Sequence, residues 1–191
     1  IGPRGDGYIA ANAMSAREAQ RYHAQQINAF SVAGADMVTA ITMNYVEEAL
    51  GVVRAAKSAS MPVAISFTVE TDGNLPTGQS LKDAIAQVDA ETNNAPVYYM
   101  INCAHPTHFE STVAGGEPWL ERIRGLRANA SAKSHAELND STELDDGNPV
   151  ELGQQHRQLM SRLKNLNVFG GCCGTDHRHV EEICKSVLTQ I

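Results

Sequence analysis

No stretch of this sequence stays apolar for the roughly 18–20 residues needed to cross a bilayer. Nor does it open with a basic-then-apolar leader and a small-residue cleavage site. Both absences lead us to expect a soluble, cytoplasmic protein with no membrane partner. An excess of positive charge is missing too. The 191 residues carry a formal net charge of −7, and the basic side chains are scattered rather than striped, so the electrostatic footprint of a nucleic-acid binder is absent. There is no internal repeat and no low-complexity tract. A disulfide framework is excluded as well: the chain has four cysteines, and two of them, Cys172 and Cys173, are adjacent, which strains any bridge between them. In a cytosolic chain, clustered cysteines more often serve a metal or catalysis than cross-linking. In that setting the tripeptide Arg4-Gly5-Asp6 and the glycosylation-like Asn129-Ala130-Ser131 and Asn139-Asp140-Ser141 carry no function.

What is present is enough apolar material, 42% of residues, for one ordinary core, and we expect a single domain over residues 1–191. Residues 16–33 carry a helical pattern that Gly34 stops, and residues 36–42 form a short apolar run that predicts a buried strand. Residues 45–58 are helical, with Glu47 and Glu48 in the first turn and Arg54 and Lys57 near the end, as the helix dipole favours. A strand at 62–69, a helix at 81–91 and a strand at 96–102 follow. Residues 108–123 read as mostly helical around Gly115-Gly116, and 125–130 as a weaker strand. Residues 150–163 form a helix, Val168 leads into Gly170-Gly171-Cys172-Cys173-Gly174, and residues 178–189 close the chain as a helix. Apolar strands alternating with amphipathic helices predict an α/β fold with a parallel sheet covered by helices. One long polar stretch, 131–149, holds His135, Glu137, Asp140, Glu143, Asp145 and Asp146; a segment of that length is a functional lid or a disordered loop.

Position in this alternation gathers the reactive side chains. Asn102, Cys103 and His105 come at the end of one strand, Cys172 and Cys173 at the end of another. Glu70, Thr71 and Asp72 follow a third, and Asn129 ends a fourth. In parallel α/β folds the loops after the strands build the active site. Three protein ligands around zinc with one open position make a catalytic type of site. Neighbouring side chains on an extended strand point to opposite faces, so bringing both sulfurs of the pair to one ion needs a turn. Gly170, Gly171 and Gly174 permit one. His105 and His108 compete with the cysteines as ligands, whereas His177 and His179 read as capping or surface groups behind Asp176. Cys184, beside Ile183 and Val187, reads as a core residue of the last helix.

Gly170-Gly171-Cys172-Cys173-Gly174-Thr175 followed by His179, with Ile101-Asn102-Cys103 far upstream, resembles the homocysteine S-methyltransferase family. Gly2-Pro3-Arg4-Gly5-Asp6, the strand around Ser66-Phe67-Thr68 and the segment ending in Asn129 resemble further family segments, so the likeness runs along essentially the whole chain. The resemblance implies a (β/α)8 TIM-type barrel, a Zn2+ ion held by Cys103, Cys172 and Cys173, and the sulfur of homocysteine in the fourth position. It also implies a small-molecule methyl donor, methionine as product, and Asn102, Glu70, Thr42 and Asn129 as substrate-binding residues. No protein residue beyond the metal site is expected to be catalytic.

Two departures from the family stand out. Nothing matches its Gly-rich first strand with an Asp, and a full barrel takes about 250 residues, so the first strands of the barrel are expected to be missing. Their open edge would be covered by a partner copy in a homo-oligomer or by a lost segment. Ile41 stands where family members usually carry a Glu that holds the substrate's amino group, leaving Glu70 or Asp72 to supply that charge. Two rival functions follow: a zinc- and thiol-binding barrel without turnover, and a metal hydrolase. The second suffers because three anionic sulfurs make zinc a weak Lewis acid.

Overall fold

Apolar runs flanked by turn residues become strands, and the amphipathic runs between them become helices, throughout the computed structural model, which describes residues 1–188. In chain order these are α1 (Ala16–Val32), β1 (Val38–Met43), α2 (Val46–Ser58), β2 (Val63–Phe67), α3 (Leu81–Thr92) and β3 (Tyr98–Asn102). Then follow α4 (Pro106–Phe109), a 3-10 turn (Pro118–Arg122), β4 (Ile123–Ala128), α5 (His135–Asn139), α6 (Pro149–Arg162), β5 (Val168–Gly171) and α7 (His177–Leu188). The strands form a sheet in the order β1-β2-β3-β4-β5, and the pairs β1–β2 and β4–β5 run parallel. The expected α/β class with a parallel sheet is therefore correct. Thr189, the expected end of the last helix, lies outside the described residues. Among the described residues no helix is long and apolar enough to cross a membrane.

The chain divides into two compact units, one of residues 1–68 and 74–99, the other of residues 69–73 and those from Met100 onward. In the first, Ser15 caps α1 through a reciprocal box with Glu18, satisfying donors that a helix start leaves unpaired. Every residue of β2 is buried, as expected of a strand covered on both faces. Helices α1 and α2 meet at Gly51, where a Cβ would fall 2.6 Å from the Gln20 backbone nitrogen and 2.7 Å from the Ala19 carbonyl carbon. The backbones touch because no side chain intervenes. Between the same helices His23 Nε2 lies 2.9 Å from Glu48 Oε1, both side chains being almost fully buried. Glu48 also accepts the Arg4 N–H at 2.7 Å. Burial pushes the Glu48 carboxyl up, but the hydrogen bonds from His23 and Arg4 outweigh it and hold the group below its ordinary value. The first-turn Glu expected to serve the helix dipole is thus mainly a buried partner of His23. At the edge of the sheet Ile1 bonds to β1 twice, its amino group to Thr39 O at 2.9 Å and its carbonyl to Ile41 N at 2.8 Å.

Three expectations for the second unit need correction. Residues 108–123 are not mostly helical. Helix α4 ends at Phe109, Gly116 takes a left-handed φ of +65°, and Pro118 opens only a 3-10 turn; two glycines and a proline offer a helix little propensity, and the proline offers it no donor. The polar stretch 131–149 contains α5, whose start Ser134 and Glu137 close as a capping box. Cys184 is exposed rather than in the core. The buried stripe of α7 is His179, Ile183 and Val187, spaced four apart, and Cys184 lies about 100° around the helix from Ile183.

Gly51→Ala is expected to destabilise the protein by about 1–3 kcal/mol, the usual cost of overpacking, through separation of α1 from α2. Urea unfolding followed by circular dichroism measures it, and an unchanged midpoint would contradict the close approach.

Candidate metal centre

Three strand ends of the second unit carry the centre. Strand β3 ends at Asn102, and Cys103 then adopts a left-handed φ of 54°, uncommon for a residue with a Cβ. Its N–H donates to Arg127 O of β4 at 3.1 Å, which holds that turn in place. On the other side of β4, strand β5 pairs Gly171 with Ala128, and the ladder continues one step as Cys172 N–H donates to Ala128 O at 2.8 Å. Next, Cys173 N–H turns to the side chain of Asn129, donating to Oδ1 at 3.1 Å, while Cys173 O accepts the Ala130 N–H at 3.0 Å. Thr175 closes the turn, its hydroxyl donating to Cys172 O at 2.7 Å. A Cβ on Gly171 would collide with that Thr175 side chain, and Gly174 has a φ of +75°. These are the two glycines the turn requires.

The consequence is a cluster of sulfurs. The Sγ atoms of Cys103, Cys172 and Cys173 all lie within 4.8 Å of one another, and Cys103 and Cys172 approach to 2.6 Å. Cys103 is buried, Cys172 half-buried and Cys173 exposed, so the cluster opens on one side. Zinc binds thiolates at about 2.3 Å, which puts the sulfurs of a tetrahedral site about 3.8 Å apart; the observed spread encloses that value. The donor chemistry fits as well. Hydrogen bonding with Cys103, then with Cys173, and then burial push the Cys172 thiol far above its ordinary range, because the neighbouring sulfurs hold its proton and burial disfavours the thiolate. A divalent cation among them reverses the balance and removes the protons. Among the described residues no other trio of His, Cys, Asp or Glu has this geometry.

The competing histidines join no such trio among the described residues. Burial, with smaller contributions from His108 and His156, pushes His105 down to about 4, and its Nδ1 pairs with the Thr107 hydroxyl at 2.8 Å. His108 Nε2 donates to Ala132 O at 2.9 Å. His179 does cap the start of α7, its Nδ1 accepting the Asp176 N–H, but it is fully buried rather than on the surface, and its Nε2 donates to Asp146 O at 2.7 Å. His177 is exposed.

Of the expected substrate residues, Asn102 and Asn129 are both buried at strand ends beside the cysteines. Asn129 spends its oxygen on Cys173, and its Nδ2 is a buried donor with no partner in the protein. Glu70 is half-buried, with Oε1 3.1 Å from His135 Nδ1. Thr42 lies in the other compact unit, within β1, at a left-handed φ of 61° where the β1–β2 register shifts. Sequence reasoning gave His135 no role beyond membership of the polar stretch, yet its Nε2 donates to Cys103 O at 2.6 Å. The only signal was a histidine in an otherwise acidic segment after a strand. That segment also walls a cavity of about 200 Å³, lined by Leu138, Glu143, Leu144 and Asp145 together with Cys173 and Gly174.

The sequence model described as homocysteine S-methyltransferase matches residues 1–187. No curated protein matches the sequence significantly. Among solved structures, the homocysteine methyltransferase MmuM from Escherichia coli is similar in its metallated form at a TM-score of 0.64 and in its oxidized form at 0.70, each at 18% identity. The alignment covers 95% of this chain and 56% of either structure, so the chain spans little more than half of their length. The apo form gives a TM-score of 0.64, with 97% of this chain and 60% of that one covered. At this identity the likeness concerns the fold, which is that of part of a (β/α)8-type barrel.

Asn129→Ala removes the acceptor of the Cys173 N–H and is expected to cost about 1 kcal/mol, whereas Asn129→Asp keeps an acceptor there but buries a carboxylate beside the sulfurs and costs more. Denaturant unfolding of the two variants beside the parent checks the order.

Proposed function

The chain belongs to the homocysteine S-methyltransferase family, and on that premise we propose that it binds one Zn2+ through Cys103, Cys172 and Cys173 and serves methyl transfer to the thiol of homocysteine, giving methionine. The observation that carries this reading is the meeting of three sulfurs within 4.8 Å at the ends of β3 and β5, on the motif by which the chain resembles the family. A free thiol is mostly protonated at neutral pH; when bound, zinc supplies the positive charge that keeps the thiol ionised and holds its sulfur as a nucleophile.

The protein's own residues then have limited work. The exposed side of Cys173 leaves the cluster reachable, and the buried Nδ2 of Asn129 is a donor suited to a substrate carboxylate. Asn102 backs the turn of Cys103, and the second oxygen of Glu70 is available to an ammonium group, a charge that Ile41 does not supply. The assignment of Thr42 to the substrate rests on its sequence position alone. The methyl group moves from donor to sulfur as the donor's own leaving group takes the electron pair, so no proton relay on the protein is required. Thiol ligands of this kind suit a reducing, cytoplasmic setting.

Purified protein is expected to contain one zinc per chain by elemental analysis, to lose it in Cys172→Ala, and to keep it in Cys184→Ala, whose sulfur lies on the exposed side of α7. Incubation of zinc-loaded protein with homocysteine and a panel of methyl donors should yield methionine. Stable, folded parent protein without zinc would refute the site; zinc and homocysteine binding with no methionine from any donor would assign a thiol-holding protein instead.

A further inference from the structure

The long polar segment between β4 and α6 is fastened to the rest of its unit at several points, and one of them leads directly to the cysteine cluster. Within the segment Ser131 donates to Asp145 at 2.7 Å, and from outside it His108 donates to the Ala132 carbonyl at 2.9 Å. Asp146 is held by His179 through its carbonyl, and by Arg178, which donates to its carboxylate at 2.7 Å. The remaining fastening is His135, the first residue of α5. Its side chain is only 8% exposed although it rises from a surface segment. A carbonyl oxygen only accepts, so the 2.6 Å contact with Cys103 O fixes Nε2 as the donor. On the opposite side of the ring Nδ1 meets Glu70, and the Ser134–Glu137 capping box holds the helix turn from which the ring projects.

Cys103 is the member of the trio with the most constrained backbone, since its φ of 54° is costly for a residue with a Cβ. Two bonds hold the peptide in that state, the N–H to Arg127 O on one side and the carbonyl to His135 on the other. We propose that His135 is a positioning residue: it holds the backbone of Cys103 so that its sulfur points into the cluster, and Glu70 orients its ring for that task. The segment is thereby the wall of the Cys173 cavity and also a brace on the buried sulfur, so docking of the segment and readiness of the thiol trio are coupled. The zinc part of this role rests on the function proposed above; the effect on Cys103 itself does not.

The test compares the parent with His135→Ala, His135→Gln and Glu70→Ala. In chelator-treated protein the alkylation rates of Cys103 and Cys184 are mapped by mass spectrometry, a readout independent of metal. Zinc affinity is measured by competition with a chromophoric chelator, and the thiolate-to-metal charge-transfer band is recorded with Co2+. His135→Ala is expected to change the Cys103 rate by about tenfold, the effect of one lost hydrogen bond, while Cys184 is unaffected. Zinc affinity should fall by about 10–100-fold, as when groups supporting a ligand are removed, and the cobalt band should shift. His135→Gln, which retains an N–H donor, should recover much of both effects, and Glu70→Ala should give a smaller change in the same direction. Parent-like Cys103 reactivity in His135→Ala would overturn the proposal, as would a zinc affinity within twofold of a zinc-binding parent. A parent that binds no zinc while Cys103 still responds to His135→Ala would refute the metal reading and leave the positioning role standing.

Discussion

Three sulfur atoms held closer than thiolates tolerate by themselves form the constraint around which the second compact unit is organised. Hydrogen bonding among the crowded sulfurs and burial disfavour the thiolate of Cys172. Crowding of this kind persists only where the backbone imposes it. Here the imposition comes from backbone hydrogen bonds running from β3 through β4 to β5, each of which fixes a peptide next to a cysteine. A dipositive ion among the sulfurs would instead favour their thiolates, which makes the donor set and the architecture consistent with one another.

Different devices deliver the individual sulfurs. Cys103 arrives by a left-handed turn at the end of β3, Cys172 by continuation of the parallel ladder past Gly171, and Cys173 by transfer of its N–H from the ladder to the side chain of Asn129. Adjacent residues on a strand would otherwise send their side chains to opposite faces. The turn that lets both sulfurs of the pair reach one centre depends on the missing Cβ of Gly171 and the positive φ of Gly174. Asn129 spends its oxygen on the backbone and leaves only its amide nitrogen unpartnered in the protein, and Glu70 shares one carboxylate oxygen with His135.

The segment 131–149 links the site to the surface. It has few buried apolar residues, so it is held by polar ties rather than by packing: the Ser131–Asp145 bond, the ties from Asp146 to His179 and Arg178, and the His135 bridge. Segments of this kind open at lower free energy than a core does. The wall of the cavity that reaches Cys173 is thus locally fastened and polar.

Alternation of apolar runs with amphipathic ones was enough to place the strands and most helices, because a strand covered on both faces has to be apolar throughout and a helix packed on one side has to be amphipathic. The same alternation put Cys103 and the vicinal pair at strand ends, and the family-like motif named them as partners. Where local signals failed, the reason was geometric. Gly115-Gly116 and Pro118 broke a helix that composition seemed to allow, and the phase of α7 turned Cys184 outward while His179 took the buried stripe. The bond between His135 and the Cys103 carbonyl joins residues 32 apart across a loop, and no periodicity encodes such a contact. Residue type and spacing thus determined which atoms were available for a metal. Only the folded chain decided that three of them meet, because their meeting depends on backbone angles at Cys103 and Gly174 that long-range hydrogen bonds hold in place.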